Sequence, residues 1–401
     1  MNAEKQSKWT TRTLWVLAAM LLTAACSARS PQPDLRGTGD LGVIIERAAG
    51  RILIVETTDR THLATVDGLG DLSHASVKFS RDARYAYVFG RDGGLTKIDL
   101  LTARIEGRVI QGGNSIGGAI SQDGRWIAVS NYEPGGVRIF DAETLDMVAD
   151  IPAGQGEDLS KVVGLVDAPG GRFVFSLYDA GEIWTLDFRT PEQPHIERYT
   201  DAGKLPYDAL ITPDGRYYVA GLFGEDGMTL MDLWDEVPAP RRILHDYGRG
   251  DQRLPVFKMP HLEGWAMAGR EAFVPGVGRH EVVVVDVADW SAVERIPVHG
   301  QPIFVMARPD GRHVWVNFAY PDNDRLQVID TKTREVVHEV LAGPGVLHME
   351  FTPRGDEIWV SVRDEDRVKV YRTDTFELLR ELEADKPSGI FFTPRAHRIG
   401  M

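Results

Sequence analysis

From residue 41 onward, apolar and polar residues alternate in short runs of four to seven, broken by clusters of Gly, Asp, Pro and Ser. Runs such as Tyr85-Ala86-Tyr87-Val88-Phe89, Phe173-Val174-Phe175-Ser176-Leu177 and Val282-Val283-Val284-Val285-Asp286 are β-branched and aromatic, the composition that fits a pleated, half-buried surface. No convincing 3.6-residue periodicity appears after residue 40, so the pattern predicts strands throughout. A five-residue turn recurs between them: Ser80–Arg84, Ser121–Arg125, Ala168–Arg172, Thr212–Arg216, Arg308–Arg312, Thr352–Asp356 and Thr393–His397, with a worn copy at Ala268-Gly269-Arg270. Asp and Gly at the centre tolerate the positive φ that tight hairpins need. The copies recur about every 45 residues, the spacing of a four-stranded propeller blade. Many of the copies also carry a strand ending in Asp, among them Asp99, Asp141, Asp187, Asp286 and Asp330.

Eight units are counted. The last turn lies too near the C-terminus to be followed by outer strands, and Gly42–Glu46 and Arg51–Val55 are available to supply them. The expectation is an all-β, eight-bladed β-propeller closed by strands from both termini, with seven blades as the alternative. Closure of this kind removes the sheet edges that invite aggregation.

The first 40 residues have a different character. Lys5, Lys8 and Arg12 precede an apolar stretch, Leu14–Leu22, and then Thr23-Ala24-Ala25-Cys26. The stretch is too short to span a bilayer and reads as a secretory signal. Small residues ahead of Cys26 look like a bacterial lipobox, although Thr23 stands where Leu is usual. The domains expected are a lipoprotein signal peptide over 1–25, a tether over 26–40 and the propeller over 41–401, placing the protein in the periplasm, anchored to a membrane by a lipid on Cys26; plain signal cleavage is the alternative.

Composition narrows the function. The 401 residues carry a formal charge of −14, which argues against nucleic-acid partners, whose phosphates must be neutralised by Lys and Arg. One Cys excludes an intrachain disulfide, a Cys-ligated zinc site, an iron–sulfur cluster and a Cys-x-x-Cys-His haem attachment. There is no His-Glu-x-x-His, and no Gly-x-Gly-x-x-Gly between a strand and a helix, so no NAD site is evident. Gly113-Asn114-Ser115-Ile116-Gly117 matches the hydrolase elbow, but a strand follows it rather than a helix.

Propellers bind ligands at the mouth of the central channel. The repeat places His74 at one such entrance, Arg91 after the second strand of the same unit, and Arg363 at the equivalent place in a later one. His348 lies two residues past its entrance position. His261, Asp158, Tyr207 and Asp208 fill further entrances. Imidazole ligates iron and guanidinium pairs with carboxylates, so the set suits an anionic, metal-bearing ring.

The segments Asp71-Leu72-Ser73-His74-Ala75-Ser76, Gly90-Arg91-Asp92-Gly93-Gly94, Val162–Gly170 and Met259-Pro260-His261 resemble the haem d1 domain of cytochrome cd1 nitrite reductase, and most of all the haem d1 biosynthesis branch of that family, over residues 40–401. The resemblance implies His74 as the haem iron ligand, Arg91 as a contact for ring carboxylates, and His261 as one of two distal pocket histidines. The other distal position falls near Tyr207-Asp208, where this chain has no His. That departure and the missing Cys-x-x-Cys-His argue against nitrite reduction. The resemblance implies binding of haem d1 or a precursor and a late maturation step in denitrification, with cytochrome cd1 nitrite reductase and a NirN-like protein as partners. Two roles follow: an oxidoreductase acting on a precursor side chain, with Asp158 or Asp208 accepting a proton, or a non-catalytic carrier.

Overall fold

A computed structural model describes residues 36–155, 158–247, 266–276 and 278–400. Its strands form eight antiparallel four-stranded sheets, plus a short hairpin at Gly154–Gln155 and Asp158–Leu159. Numbered along the chain, the blades span 76–110, 114–151, 162–199, 206–243, 266–297, 302–341 and 346–383; the eighth joins 387–392 to 41–66. The eight-bladed expectation holds.

Burial follows the order of strands within a blade. In the first blade, Gly94–Asp99 is buried at every residue, whereas Arg104–Ile110 has no buried residue. First strands of neighbouring blades touch one another, as Ser76–Phe79 touches Asn114–Ile120 and Val162–Ala168 touches Pro206–Ile211, so the first seven blades run from the channel outward in chain order. Between blades the packing is apolar; the largest cluster joins Val166, Tyr218, Met231, Val274 and Trp290 across the third, fourth and fifth blades.

Two sequence signatures acquire a physical cause. At the recurrent turn, the hydroxyl that opens it binds the Asp two residues on, and the same hydroxyl accepts from the strand that follows. Tyr217 N donates to Thr212 Oγ1 at 3.0 Å, and Arg216 N to Asp214 Oδ1 at 3.1 Å. Gly215 there has φ 73°, a conformation Gly adopts without steric cost. The Asp that ends the third strand caps the next turn: Asp141 accepts from the Glu143 and Thr144 amides at 2.8 and 3.0 Å, and Asp330 from Lys332 and Thr333 at 2.9 and 2.8 Å. Such bonds from a side chain to the backbone two or three residues on are an Asx turn.

The closing blade departs in detail from expectation. The N-terminal segment supplies three strands, Leu41–Glu46, Arg51–Glu56 and Thr61–Val66, not two; Pro387–Phe392 is the innermost strand. The last copy of the turn is not a hairpin. Without a following strand to pair, Thr393–His397 coils into a 3-10 helix with Pro in its first turn.

The chain then crosses the channel floor. Arg395 and Glu350, 4% and 5% exposed, form a two-pronged ion pair at 2.9 and 2.5 Å. Arg81 of the first blade donates to Ala396 O at 2.6 Å. Gly400 N donates to Asp167 of the third blade at 2.9 Å, and Gly400 O accepts from Lys78 Nζ of the first at 3.2 Å. Arg81 also pairs with Asp167 at 3.2 Å. Burial pushes the Asp167 carboxyl above the usual range against these cations.

Removing one member of a buried ion pair leaves the other charge uncompensated. Arg395→Ala is expected to cost about 3–5 kcal/mol in urea unfolding. Arg395→Met combined with Glu350→Leu is expected to recover most of that loss.

Candidate functional site

At the end of the channel opposite this floor, the innermost strands share an irregularity. In the third, fourth, sixth, seventh and closing blades, two residues of the first strand oppose one of its neighbour, within Val163 to Val166, Pro206 to Ala209, Pro302 to Val305, Val346 to Met349 and Pro387 to Ile390. The second blade has an extra residue between Ser115 and Gly117. A bulge of this kind re-aims side chains and bends the strand. The residues concerned, among them Gly117, Gly164, Asp208, Phe304, His348 and Gly389, line the central cavity. The bowl is open to solvent and has a cavity volume of about 210 Å³.

His74, Tyr207, Asp208 and His348 all line the bowl, from the first, fourth and seventh blades. His74 sits just ahead of strand Ser76–Phe79 and is exposed at the mouth. Its loop is pinned from three sides. Asp71 Oδ1 accepts from Ser73 N at 2.8 Å, Arg91 N donates to Asp71 O at 2.8 Å, and Arg47 donates to Ser73 O at 2.6 Å. The bonds from Ser73 hold the Asp71 carboxyl below its ordinary pKa.

The His348 ring packs between Phe304 and Phe391, with centroids 5.2 and 5.6 Å away. Its Nδ1 faces the Ile390 amide N–H at 3.3 Å. A ring nitrogen accepting there leaves the neutral-ring proton on Nε2. His348 lies within the bulge between Val346 and Met349.

Arg91 and Arg363 stand beside the bowl rather than in its wall. The Arg91 guanidinium lies 5.7 Å from the Tyr132 ring centroid. Arg363 is bonded to Asp364 at 2.8 and 3.1 Å, which raises its pKa. Arg47, which the sequence reading missed, does line the bowl. Burial, then the neighbouring charge of Arg363, lowers its pKa, so an anion arriving here would relieve cation–cation repulsion. Arg47 lies in the turn between two N-terminal strands, outside the repeat register, and nothing in the spacing of the repeat points to it.

Asp158 is not among the residues lining the bowl; it lies exposed on the short hairpin before the third blade. The connection there carries two extra strands that the repeat does not predict. His261 and Cys26 lie outside the described residues. Ser115 of the elbow-like motif is buried in a strand and donates to Ser130 O at 2.9 Å, so it is structural. Among the described residues no group of three or more His, Cys, Asp or Glu is placed to hold a metal ion, and no helix is long and apolar enough to cross a membrane.

The bowl is asymmetric. Arg47, Arg91 and Arg363 belong to the closing, first and seventh blades. Tyr132, Tyr178, Tyr207 and Phe223 form an aromatic group on the second to fourth blades, with centroids of the last three 5.6–6.0 Å apart; it borders Arg91, which lies against Tyr132, and is removed from Arg47 and Arg363.

Residues 36–396 match the family model described as the cytochrome D1 heme domain. The chain is 63% identical over 390 residues to Protein NirF of Pseudomonas aeruginosa, covering 96% of this chain and 99% of that one. The chain belongs to the NirF family. A second NirF, from Stutzerimonas stutzeri, is 59% identical over 97% of this chain and its own full length. The dihydro-heme d1 dehydrogenase of P. aeruginosa is 31% identical over 326 residues, 79% of this chain and 64% of that enzyme. Among solved structures, dihydro-heme d1 dehydrogenase NirN in complex with DHE superposes with a TM-score of 0.79 at 27% identity, over 92% of this chain and 78% of that one. The chain thus shares its propeller fold with NirN.

Proposed function

We propose that the protein binds haem d1 or a late precursor in the mouth of the propeller and takes part in a late step of haem d1 maturation. The observation that carries this reading is the convergence of His74, Tyr207, Asp208 and His348, from three blades, on one open bowl. The donor set fits an iron tetrapyrrole. An imidazole at the rim suits the iron. The arginines suit the ring's carboxylates, since guanidinium pairs with carboxylate in two-pronged fashion. The aromatic group suits its apolar edge. Gly117 keeps the wall low where a flat molecule would lie. NirN, which shares the fold, was solved with DHE bound.

His74 would ligate the iron, Arg47 with Arg91 and Arg363 would draw the carboxylates to the closing, first and seventh blades, and Tyr207, Asp208 and His348 would face the ring. Two roles are distinguished by what Asp208 does. As an oxidoreductase, the protein would use the Asp208 carboxylate as proton acceptor at a precursor side chain, with the tetrapyrrole or a partner taking the electrons. Asp208 takes this place from Asp158 because only Asp208 lines the bowl. As a carrier, the protein would hold the ring by His74 and the arginines and pass it to cytochrome cd1 nitrite reductase or a NirN-like protein. The signal-like leader and Cys26 support a periplasmic, lipid-anchored location; labelling of the expressed protein with a radioactive fatty acid, lost in Cys26→Ser, is the expected result.

His74→Ala is expected to abolish the axial-imidazole absorption bands when the protein is titrated with haem d1; bands identical to wild type would overturn the assignment. A Cβ on Gly117 would meet only Ser76 Oγ, at 3.1 Å, so Gly117→Leu should project into the bowl. It is expected to lower affinity for the ring by about tenfold or more, the scale of an overpacked site, with thermal unfolding showing that the variant is still folded. Asp208→Asn is expected to keep ring binding and stop maturation of the reductase under the oxidoreductase reading; maturation at the wild-type rate would select the carrier.

A further inference from the structure

Tyr207 enters the bowl beside Asp208, and its hydroxyl meets the Tyr132 hydroxyl at 2.7 Å. Tyr132 closes the second strand of the second blade and does not line the bowl. Two phenols in contact share one hydrogen bond, so one hydroxyl proton is used between them and the other is directed elsewhere. Among the described residues the Tyr132 hydroxyl bonds that of Tyr207 alone. A half-buried phenol that cannot place its proton loses a hydrogen bond. Either hydroxyl can donate in this contact; because Tyr207 lines the bowl and Tyr132 does not, the arrangement that leaves a proton for the bowl is the one in which Tyr132 donates to the Tyr207 oxygen. The Tyr207 proton then points to the one direction left open, the bowl.

The surroundings hold this arrangement. Tyr178 and Phe223 pack against the Tyr207 ring at 5.8 and 5.6 Å and fix its plane. Burial pushes both phenols above their ordinary pKa, so both stay protonated at neutral pH. The Arg91 guanidinium over the Tyr132 ring acts in the opposite sense on both, making their protons better donors without removing them.

We propose that Tyr132 is a positioning residue that orients the Tyr207 hydroxyl as a hydrogen-bond donor to an oxygen atom on the rim of the bound ring, a carboxylate or carbonyl. The proposal rests on the reading of the bowl as a tetrapyrrole site and adds a specificity element on its aromatic side. The arginines attract charge from a distance, whereas a neutral phenol held at a fixed angle discriminates where an oxygen sits on the ring.

The test compares wild type, Tyr207→Phe, Tyr132→Phe and the double variant by absorbance titration with two probes, haem d1 and iron octaethylporphyrin, whose rim carries no oxygen. Phe preserves the aromatic packing, and thermal unfolding confirms that each variant is folded. With haem d1, Tyr207→Phe is expected to lower affinity about two- to tenfold, the range of one neutral hydrogen bond. Tyr132→Phe is expected to lower it less, and the double variant to match Tyr207→Phe, because Tyr132 acts only through Tyr207. With the oxygen-free ring, all four proteins are expected to bind alike. Additive losses, equal losses with both probes, or no loss in Tyr207→Phe while wild type binds haem d1 would each overturn this proposal and leave the tetrapyrrole reading standing. A wild-type protein that takes up no haem d1 would overturn both.

Discussion

The structure depends on the pairing of the chain's two ends in one sheet. Leu41–Glu46 lies antiparallel to Pro387–Phe392, so the ring is fastened by backbone hydrogen bonds between residues some 350 positions apart. Their union also sets the diameter of the channel, because the closing strand occupies the eighth position around it. The buried Arg395–Glu350 pair ties the segment just beyond the closing strand to the seventh blade. A propeller left open there would present two bare strand edges and would have no central bowl.

Much of this was legible in the residues. The recurrent Ser/Thr-x-Asp-Gly-Arg turns and the Asp that ends the third strand of most blades are local chemistry, bonds made within two or three residues, and they report blade number and boundaries directly. His74 was legible because it occupies a regular place in the repeat. What escaped was whatever broke the repeat. The third N-terminal strand, Thr61–Val66, exposes most of its residues and shows weak alternation. The final turn reads as a hairpin because its sequence matches the others, yet no strand follows to pair. Asp158 was misjudged because an inserted hairpin shifts it off the register, and Arg47 was missed because it lies in the closing blade's turn.

The bulges explain why functional groups gather at one end of the channel. A regular innermost strand would point alternate side chains into the neighbouring blades. An additional residue near the mouth disturbs that alternation locally and presents consecutive positions, such as Tyr207 and Asp208, to the same space. The strand beyond the bulge returns to register and packs normally, so the scaffold is spared. Rigid blades with irregular rims let the rim diverge while the blades stay constant, which accords with the high fold similarity to NirN at 27% identity.

The tail that crosses the floor has its own consequence. Gly400 links Lys78 and Asp167 on two separate blades, and Lys78 is also part of the bowl's wall. The toroid is therefore stoppered at one pole by its own terminus. With that pole closed, the mouth is the way both into and out of the bowl, so anything entering or leaving the bowl would pass the same rim.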